Sequence, residues 1–204
     1  MSSPLSQLTP ITPALRHDLR LQRRKLNSFL QQQAAQHCCN QLQRFSRFLH
    51  AQHVGVYLDA FGEISTRLII ESCFQRGKKV YLPKICQMNQ HLVWVRITAS
   101  QYRRAQFLPH RLGMLEPLNG RGINIKHLDL LIMPLLACDR TGLRLGMGGG
   151  FYDRTLSNHP QKPYRLGLAH EFQYLDTRFQ AQAWDQALDA LLTPQQLRRF
   201  ARSH

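Results

Sequence analysis

The densest run of chemistry-bearing residues in the chain is Asp139-Arg-Thr-Gly-Leu-Arg-Leu-Gly-Met-Gly-Gly-Gly-Phe-Tyr-Asp153. Gly146, Gly148, Gly149 and Gly150 let backbone come close to a ligand. A helix starting after them would present unpaired N–H groups, which favour anions. Arg140 and Arg144 add fixed positive charge suited to phosphate. Asp153 closes the run with a carboxylate that can hold Mg²⁺ beside phosphate oxygens. The chemistry implied is the binding of a phosphorylated ligand. Two familiar loops are excluded. A P-loop needs Gly-Lys-Ser/Thr, which does not follow these glycines. A Gly-x-Gly-x-x-Gly fingerprint fails because its last position is Phe151 counted from Gly146 and Asp153 counted from Gly148. A flexible glycine linker would carry Ser and Asn filler, not two arginines, an aromatic pair and an acid.

Other residues are more ambiguous taken alone. Glu63 reads as a first-turn helix carboxylate favoured by the macrodipole. Arg16, Arg20, Arg23 and Arg24 fall at i, i+4, i+7 and i+8, a basic stripe on one side of a helix. The formal net charge is +15. That balance suits polyanionic partners, either nucleic acid or a nucleotide with an acidic small molecule. Five cysteines, an odd count with no Cys-x-x-Cys pair, fit neither a disulfide framework nor a zinc site and point to a reducing, cytoplasmic setting. The ten histidines lack metal-ligand spacing. No Ser-His-Asp or Cys-His arrangement stands out.

The elements that must position these residues follow from the hydrophobic pattern. Residues 14–33 and 34–51 read as helices. Strand-like runs follow at 54–58, 80–82, 92–97, 128–133 and 165–169, with helices at 64–75 and 150–156. Residues 100–122 show no clear period. Strands alternating with helices predict an α/β fold: a three-layer, open, mostly parallel sheet with helices on both faces and an N-terminal helical arm. The glycine run follows the 128–133 strand, so it falls at the carboxyl edge where α/β sheets bind ligands. Residues 1–13, rich in Ser, Thr and Pro, read as a disordered lead, and 14–204 as one domain. No apolar run approaches the roughly 20 residues of a membrane span.

In this context Arg144-Leu-Gly-Met-Gly-Gly-Gly-Phe-Tyr-Asp-Arg-Thr-Leu156 resembles the signature of the 5-formyltetrahydrofolate cyclo-ligases. The resemblance extends over most of the chain after Pro13. It includes Leu15-Arg16 with Arg20 and Arg23, Gly62-Glu63-Ile-Ser-Thr66, Val80-Tyr-Leu-Pro83, Gly113-Met-Leu-Glu-Pro117 and Leu128-Asp-Leu-Leu-Ile-Met-Pro134. It implies an ATP- and Mg²⁺-dependent conversion of 5-formyltetrahydrofolate to 5,10-methenyltetrahydrofolate, with release of ADP and phosphate. The formyl oxygen is activated by the γ-phosphoryl group and the ring closes as phosphate leaves. Such a reaction needs positioning and charge stabilisation, not a protein nucleophile.

By the same resemblance Arg16, Arg144, Leu145, Gly146, Met147, Gly148, Gly149, Gly150, Phe151 and Tyr152 contact ATP, with Arg144 and Tyr152 nearest the chemistry. Leu58 and Glu63 hold the pterin, and Met147, Gly148, Gly149, Gly150 and Phe151 also face the folate. Asp153 and Asp189 bind Mg²⁺, with Asp185 the alternative to the latter. The expected partner is a folate, in free or polyglutamylated form, bound by a monomer with no membrane association. The sequence departs from the family at three places. Thr12-Pro13-Ala14 stand where a lysine often precedes Leu-Arg, leaving Lys84 or Arg20 to compensate; Gly149 replaces a loop lysine; and Leu112 replaces an aromatic residue. The rival readings are a basic nucleic-acid-binding protein and an ATP-dependent ligase for another acyl substrate.

Overall fold

The computed structural model describes residues 8–118 and 120–201. Its centre is an eight-stranded sheet in the order Leu197–Arg199, Ala190–Leu192, Tyr164–Leu168, Leu130–Pro134, His53–Gly55, Lys79–Ile85, Leu92–Ile97, Gly122–Ile123. The five strands from Ala190–Leu192 to Lys79–Ile85 run parallel. Antiparallel strands complete both edges.

Leu130–Pro134 shows why this segment is a central strand. Leu130 and Ile132 belong to one apolar cluster, and Leu131 and Met133 to the other. Successive side chains point to opposite faces, so a strand buried on both sides must be apolar throughout. The first cluster takes its helical share from Ser28–Leu42, Ser46–His50 and Arg67–Gln75. The second includes Leu156 from the Phe151–Leu156 helix. A third, smaller cluster joins Leu19 of the first helix to Leu136, Ala137, Leu143, Leu145 and Phe179.

The N-terminal region differs from the sequence reading in two ways. Of the lead expected over residues 1–13, residues 1–7 lie outside the described residues; Leu8–Thr9 form a short strand parallel to Arg178–Phe179. The helix expected over 14–33 is two helices, Pro13–Lys25 and Ser28–Leu42. Thr12 caps the first, its hydroxyl accepting from the Leu15 N–H at 3.1 Å, and Pro13 occupies the position where a missing N–H costs nothing. Asn27 caps the second by accepting from the Leu30 N–H at 2.8 Å. A cap of this kind needs extended backbone, so Asn27 interrupts an otherwise continuous helical pattern.

Elsewhere the differences are in boundaries and in short elements. The second expected helix, 34–51, falls on the end of Ser28–Leu42 and on the separate Ser46–His50 helix. The helix expected from 64 begins at Arg67. The ambiguous 100–122 region holds the Ala99–Arg103 helix and a hairpin of Phe107–Pro109 with Leu115–Pro117. Two strands, Ala190–Leu192 inside the sheet and Leu197–Arg199 at its edge, had no counterpart in the sequence reading because each is only 3 residues long. No helix among the described residues is long and apolar enough to cross a membrane.

Candidate active site

A cleft of about 760 Å³ opens at the carboxyl edge of the parallel strands. Pro134 ends the central strand there, Tyr57 and Leu58 follow the adjacent His53–Gly55 strand, and Pro83 and Ile85 come from Lys79–Ile85, the next strand beyond it. The entire run from Leu143 to Asp153 lines one side. Arg16 and Glu63 line it as well. Of the residues singled out from the sequence, Arg16, Leu58, Glu63, Arg144, Leu145, Gly146, Met147, Gly148, Gly149, Gly150, Phe151, Tyr152 and Asp153 therefore share one cavity.

The glycine loop is held from several directions. Arg16 donates from Nη1 to the Gly146 carbonyl at 2.6 Å. Arg154 donates to the Gly149 carbonyl at 2.8 Å and lies over the Phe151 ring. Gly150 adopts φ +63°, a left-handed turn that lets the chain enter the Phe151–Leu156 helix. That helix has only 6 residues, so its dipole adds less than the sequence led us to expect. The loop amides and the arginines carry the anion-binding capacity instead.

Arg144 is nearly buried, donates from Nη2 to Asp153 Oδ1 at 2.7 Å, and lies over the Tyr152 ring at 5.5 Å. Its buried Nε has no hydrogen-bond partner among the described residues. Orphaned buried donors of this kind are rare. The loop residues line the cleft together with Arg16 and Arg144, a lining whose amides and fixed positive charges fit a phosphate. Burial pushes the Tyr152 phenol above its usual range, so it stays protonated and can donate.

Glu63 lines the same cleft. Its Oε2 accepts from the Ala60 N–H at 3.0 Å, and its Oε1 lies 3.6 Å from Arg23 Nη1. Burial pushes the carboxyl up to about 7, opposed by the Ala60 hydrogen bond and the Arg23 charge. The loop is fixed by a close approach. Gly62 has φ +78°, and a Cβ there would meet the Arg23 carbonyl oxygen at 2.8 Å. His170, stacked on Phe172, lies with Nε2 3.2 Å from the Gly62 carbonyl. Burial lowers the imidazole to about 4, so the ring is neutral and donates to that carbonyl.

Arg23 is the residue whose role the sequence concealed. It is fully buried, donates to the Leu135 carbonyl at 3.4 Å, and reaches Met147 Sδ at 3.8 Å as well as Glu63. Arg20 extends to the Met147 carbonyl at 3.5 Å. Three of the four arginines of the stripe thus face the glycine loop and the Glu63 loop; Arg24 stays exposed. Of the two cations considered as replacements for the missing lysine, Arg20 is the one that reaches the loop, whereas Lys84 is not in the lining.

The acidic residues separate clearly. Asp153 lines the cleft, and its Oδ1 also receives the Gln186 N–H at 3.3 Å. Asp185 lines the cleft too. Asp189 does not. It precedes the Ala190–Leu192 strand, at the amino edge of the parallel sheet, where it accepts the Arg165 N–H at 2.6 Å. Among the described residues no group of three or more His, Cys, Asp or Glu side chains could hold a metal by itself. Two carboxylates beside a phosphate cradle suit Mg²⁺, which keeps waters and takes further ligands from substrate phosphates.

Comparison with known proteins agrees with this arrangement. A model of the 5-formyltetrahydrofolate cyclo-ligase family matches residues 9–194. The chain is 35% identical over 180 residues to the 5-formyltetrahydrofolate cyclo-ligase of Escherichia coli (strain K12), covering 86% of this chain and 96% of that one. It is 34% identical over 183 residues to the enzyme of the same name from Haemophilus influenzae, covering 87% and 95%. The solved structure of Aquifex aeolicus 5,10-methenyltetrahydrofolate synthetase superposes with a TM-score of 0.78 at 26% identity, over 94% of this chain and 93% of that one. The glycine loop, the Glu63 carboxylate and the matched length agree: the chain belongs to the 5-formyltetrahydrofolate cyclo-ligase family.

Proposed function

We propose that this chain converts 5-formyltetrahydrofolate to 5,10-methenyltetrahydrofolate at the expense of ATP. The observation that carries the reading is that Glu63 and the Gly146–Asp153 loop face one cleft and are joined through Arg23. Glu63 accepts hydrogen bonds from the pterin N–H groups, with Leu58 packed beside it. The loop amides, Arg16 and Arg144 hold the phosphates and offset charge as it shifts toward the formyl oxygen. Tyr152, protonated and next to Arg144, donates within the same site. Asp153 and Asp185 hold Mg²⁺, which neutralises phosphate charge when bound. Asp185 is preferred to Asp189 because only the former shares the cleft with Asp153.

The chain's part in the reaction is therefore to bind both ligands, align the reacting groups and exclude water. No side chain needs to form a covalent bond. All five cysteines are free thiols and four are buried, which supports a reducing, cytoplasmic setting. The positive charge of the chain suits a polyglutamylated folate as well as a nucleotide. The inward turn of Arg16, Arg20 and Arg23 favours this reading over a nucleic-acid surface.

The test is absorbance of the methenyl chromophore on mixing the protein with 5-formyltetrahydrofolate and Mg-ATP. Growth that requires both ATP and Mg²⁺ is expected. Arg144→Ala should abolish ATP use, and Glu63→Ala should weaken folate binding while ATP still binds. Folded wild-type protein that produces no methenyl band would overturn the proposal.

A further inference from the structure

Glu63 serves the cleft only if the turn that carries it stays in place. That turn contains two consecutive left-handed residues, Phe61 at φ +54° and Gly62 at φ +78°. Glycine adopts such a φ freely, but a bulky aromatic residue there is strained and persists only where its surroundings hold it. Bonds within the turn do not tie it to the rest of the fold. Glu63 donates its N–H to the Ala60 carbonyl at 3.0 Å, and its carboxylate accepts the Ala60 N–H in return.

His170 reaches the turn from outside. Its Nε2 donates to the Gly62 carbonyl at 3.2 Å, one residue before Glu63. His170 follows the Tyr164–Leu168 strand at the carboxyl edge of the sheet and is only 4% exposed. It is itself well fixed. Its ring lies parallel to that of Phe172, at 5.6 Å between centroids. Its backbone N–H donates to Gln173 Oε1 at 2.9 Å. The Gln173 amide in turn donates to the Leu135 and Leu136 carbonyls at 2.9 and 3.0 Å, just past the end of the central strand. The Leu135 carbonyl also accepts from Arg23, the cation paired with Glu63. Two ties therefore run from the end of the central strand to the turn. Arg23 holds the carboxylate, and Gln173 with His170 holds the backbone. His170 is not in the cleft lining, so it acts on a ligand only through the turn.

We propose that His170 is a positioning residue, whose hydrogen bond to the Gly62 carbonyl sets where the Glu63 carboxylate stands in the cleft. This rests on the folate-binding role proposed for Glu63 and extends it to a residue that touches no substrate. Arg23 cannot do the same work alone. A flexible guanidinium can follow the carboxylate if the backbone shifts, whereas a donor fixed by stacking and by Gln173 holds one backbone atom in place. Without that donor the strained Phe61–Gly62 pair is free to relax and carry Glu63 with it. A misplacement of about 1 Å is enough to cost a site on the order of a hundredfold.

The test is calorimetric binding of 5-formyltetrahydrofolate and, separately, of Mg-ATP to the intact protein. His170→Phe keeps a ring beside Phe172 and removes the donor. His170→Asn keeps a donor that is too short to reach, and His170→Gln restores one at a similar reach. His170→Phe and His170→Asn should bind 5-formyltetrahydrofolate about ten- to a hundredfold more weakly, with Mg-ATP affinity unchanged. His170→Gln should recover most of the loss. On a Glu63→Gln background His170→Asn should cost little more, because both changes act on one contact. If His170→Phe does not fold, the comparison of His170→Asn with His170→Gln decides. Wild-type folate affinity in His170→Asn, an equal loss for Mg-ATP, no recovery in His170→Gln, or an undiminished loss on the Glu63→Gln background would overturn the inference and leave the role of Glu63 standing. Unchanged folate affinity in Glu63→Ala would overturn both.

Discussion

Arg23 and Glu63 form a buried ion pair, with Nη1 3.6 Å from Oε1, that links the first helix to the carboxylate facing the cleft. The same guanidinium reaches Met147 of the glycine loop. One cation therefore reaches both the Glu63 carboxylate and the glycine loop. Its burial lowers the Arg23 pKa, and burial raises that of Glu63, so desolvation works against both charges of the pair.

Removing one partner should cost more than removing both. Arg23→Met is expected to lose about 3–5 kcal/mol of stability, because it leaves a buried carboxylate without its counter-charge. Arg23→Met with Glu63→Gln should recover a large part of that loss. Urea unfolding of the single and double variants checks this. A loss in the double variant equal to the sum of the Arg23→Met and Glu63→Gln losses would show that the pair is not energetically coupled.

Substrate affinity should depend on pH through Glu63. In the role proposed for Glu63 the ionised carboxylate accepts from the pterin, and its carboxyl is raised to about 7 in the folded protein. Below that pH, folate affinity should fall about tenfold per unit, and Glu63→Gln should flatten the profile. Stability moves the other way. A folded pKa above the unfolded value means that the folded state binds the proton more tightly between the two. This group's contribution is therefore full below the unfolded pKa of 4.5 and is lost as pH rises to about 7. His170 has the opposite sign. Its pKa is lowered from 6.5 to about 4, so its contribution is present above 6.5 and is lost as pH falls toward 4. Binding titrations and thermal melts across this range separate the two groups.

The three aspartates should behave differently under Mg²⁺ titration. Asp153→Asn and Asp185→Asn are expected to raise the Mg²⁺ concentration needed for half-maximal turnover. Asp189→Ala should leave it unchanged and cost about 1–3 kcal/mol of stability, because the Arg165 N–H loses its acceptor. A shifted Mg²⁺ requirement in Asp189→Ala alone would return the metal to that residue.

Tyr57 lines the cleft with its hydroxyl buried and without a hydrogen-bond partner among the described residues. An unsatisfied buried hydroxyl destabilises the free protein. Tyr57→Phe should therefore stabilise the ligand-free protein by about 1 kcal/mol, read as a rise in Tm. A fall in Tm would mean that the hydroxyl has a partner in solution.

The amino-acid sequence by itself determined the parallel core and the glycine loop. Both are written in local pattern. Leu130–Met133 must be a doubly buried strand because every position is apolar, and Gly146, Gly148, Gly149 and Gly150 leave the backbone open to close approach because they carry no side chains. The Leu92–Ile97 strand appeared at its observed limits for the same reason. Glu63 was legible only through family resemblance, since a lone glutamate before a helix has an ordinary explanation. What the tertiary structure alone decided were the long-range partnerships. Arg23 lies 40 residues from Glu63 and 124 from Met147, as the numbering shows, and a basic helical stripe looks the same whether it meets water or a loop. Asp185 and Asp189 are both acids after Trp184, and only the sheet separates them: one lies in the cleft and the other begins a strand at the opposite edge. The short strand at Leu8–Thr9 had no signal because two residues carry no period, and it forms only where Arg178–Phe179 offers its backbone. Local pattern specifies which face of an element is apolar; which charged groups meet depends on how the elements pack.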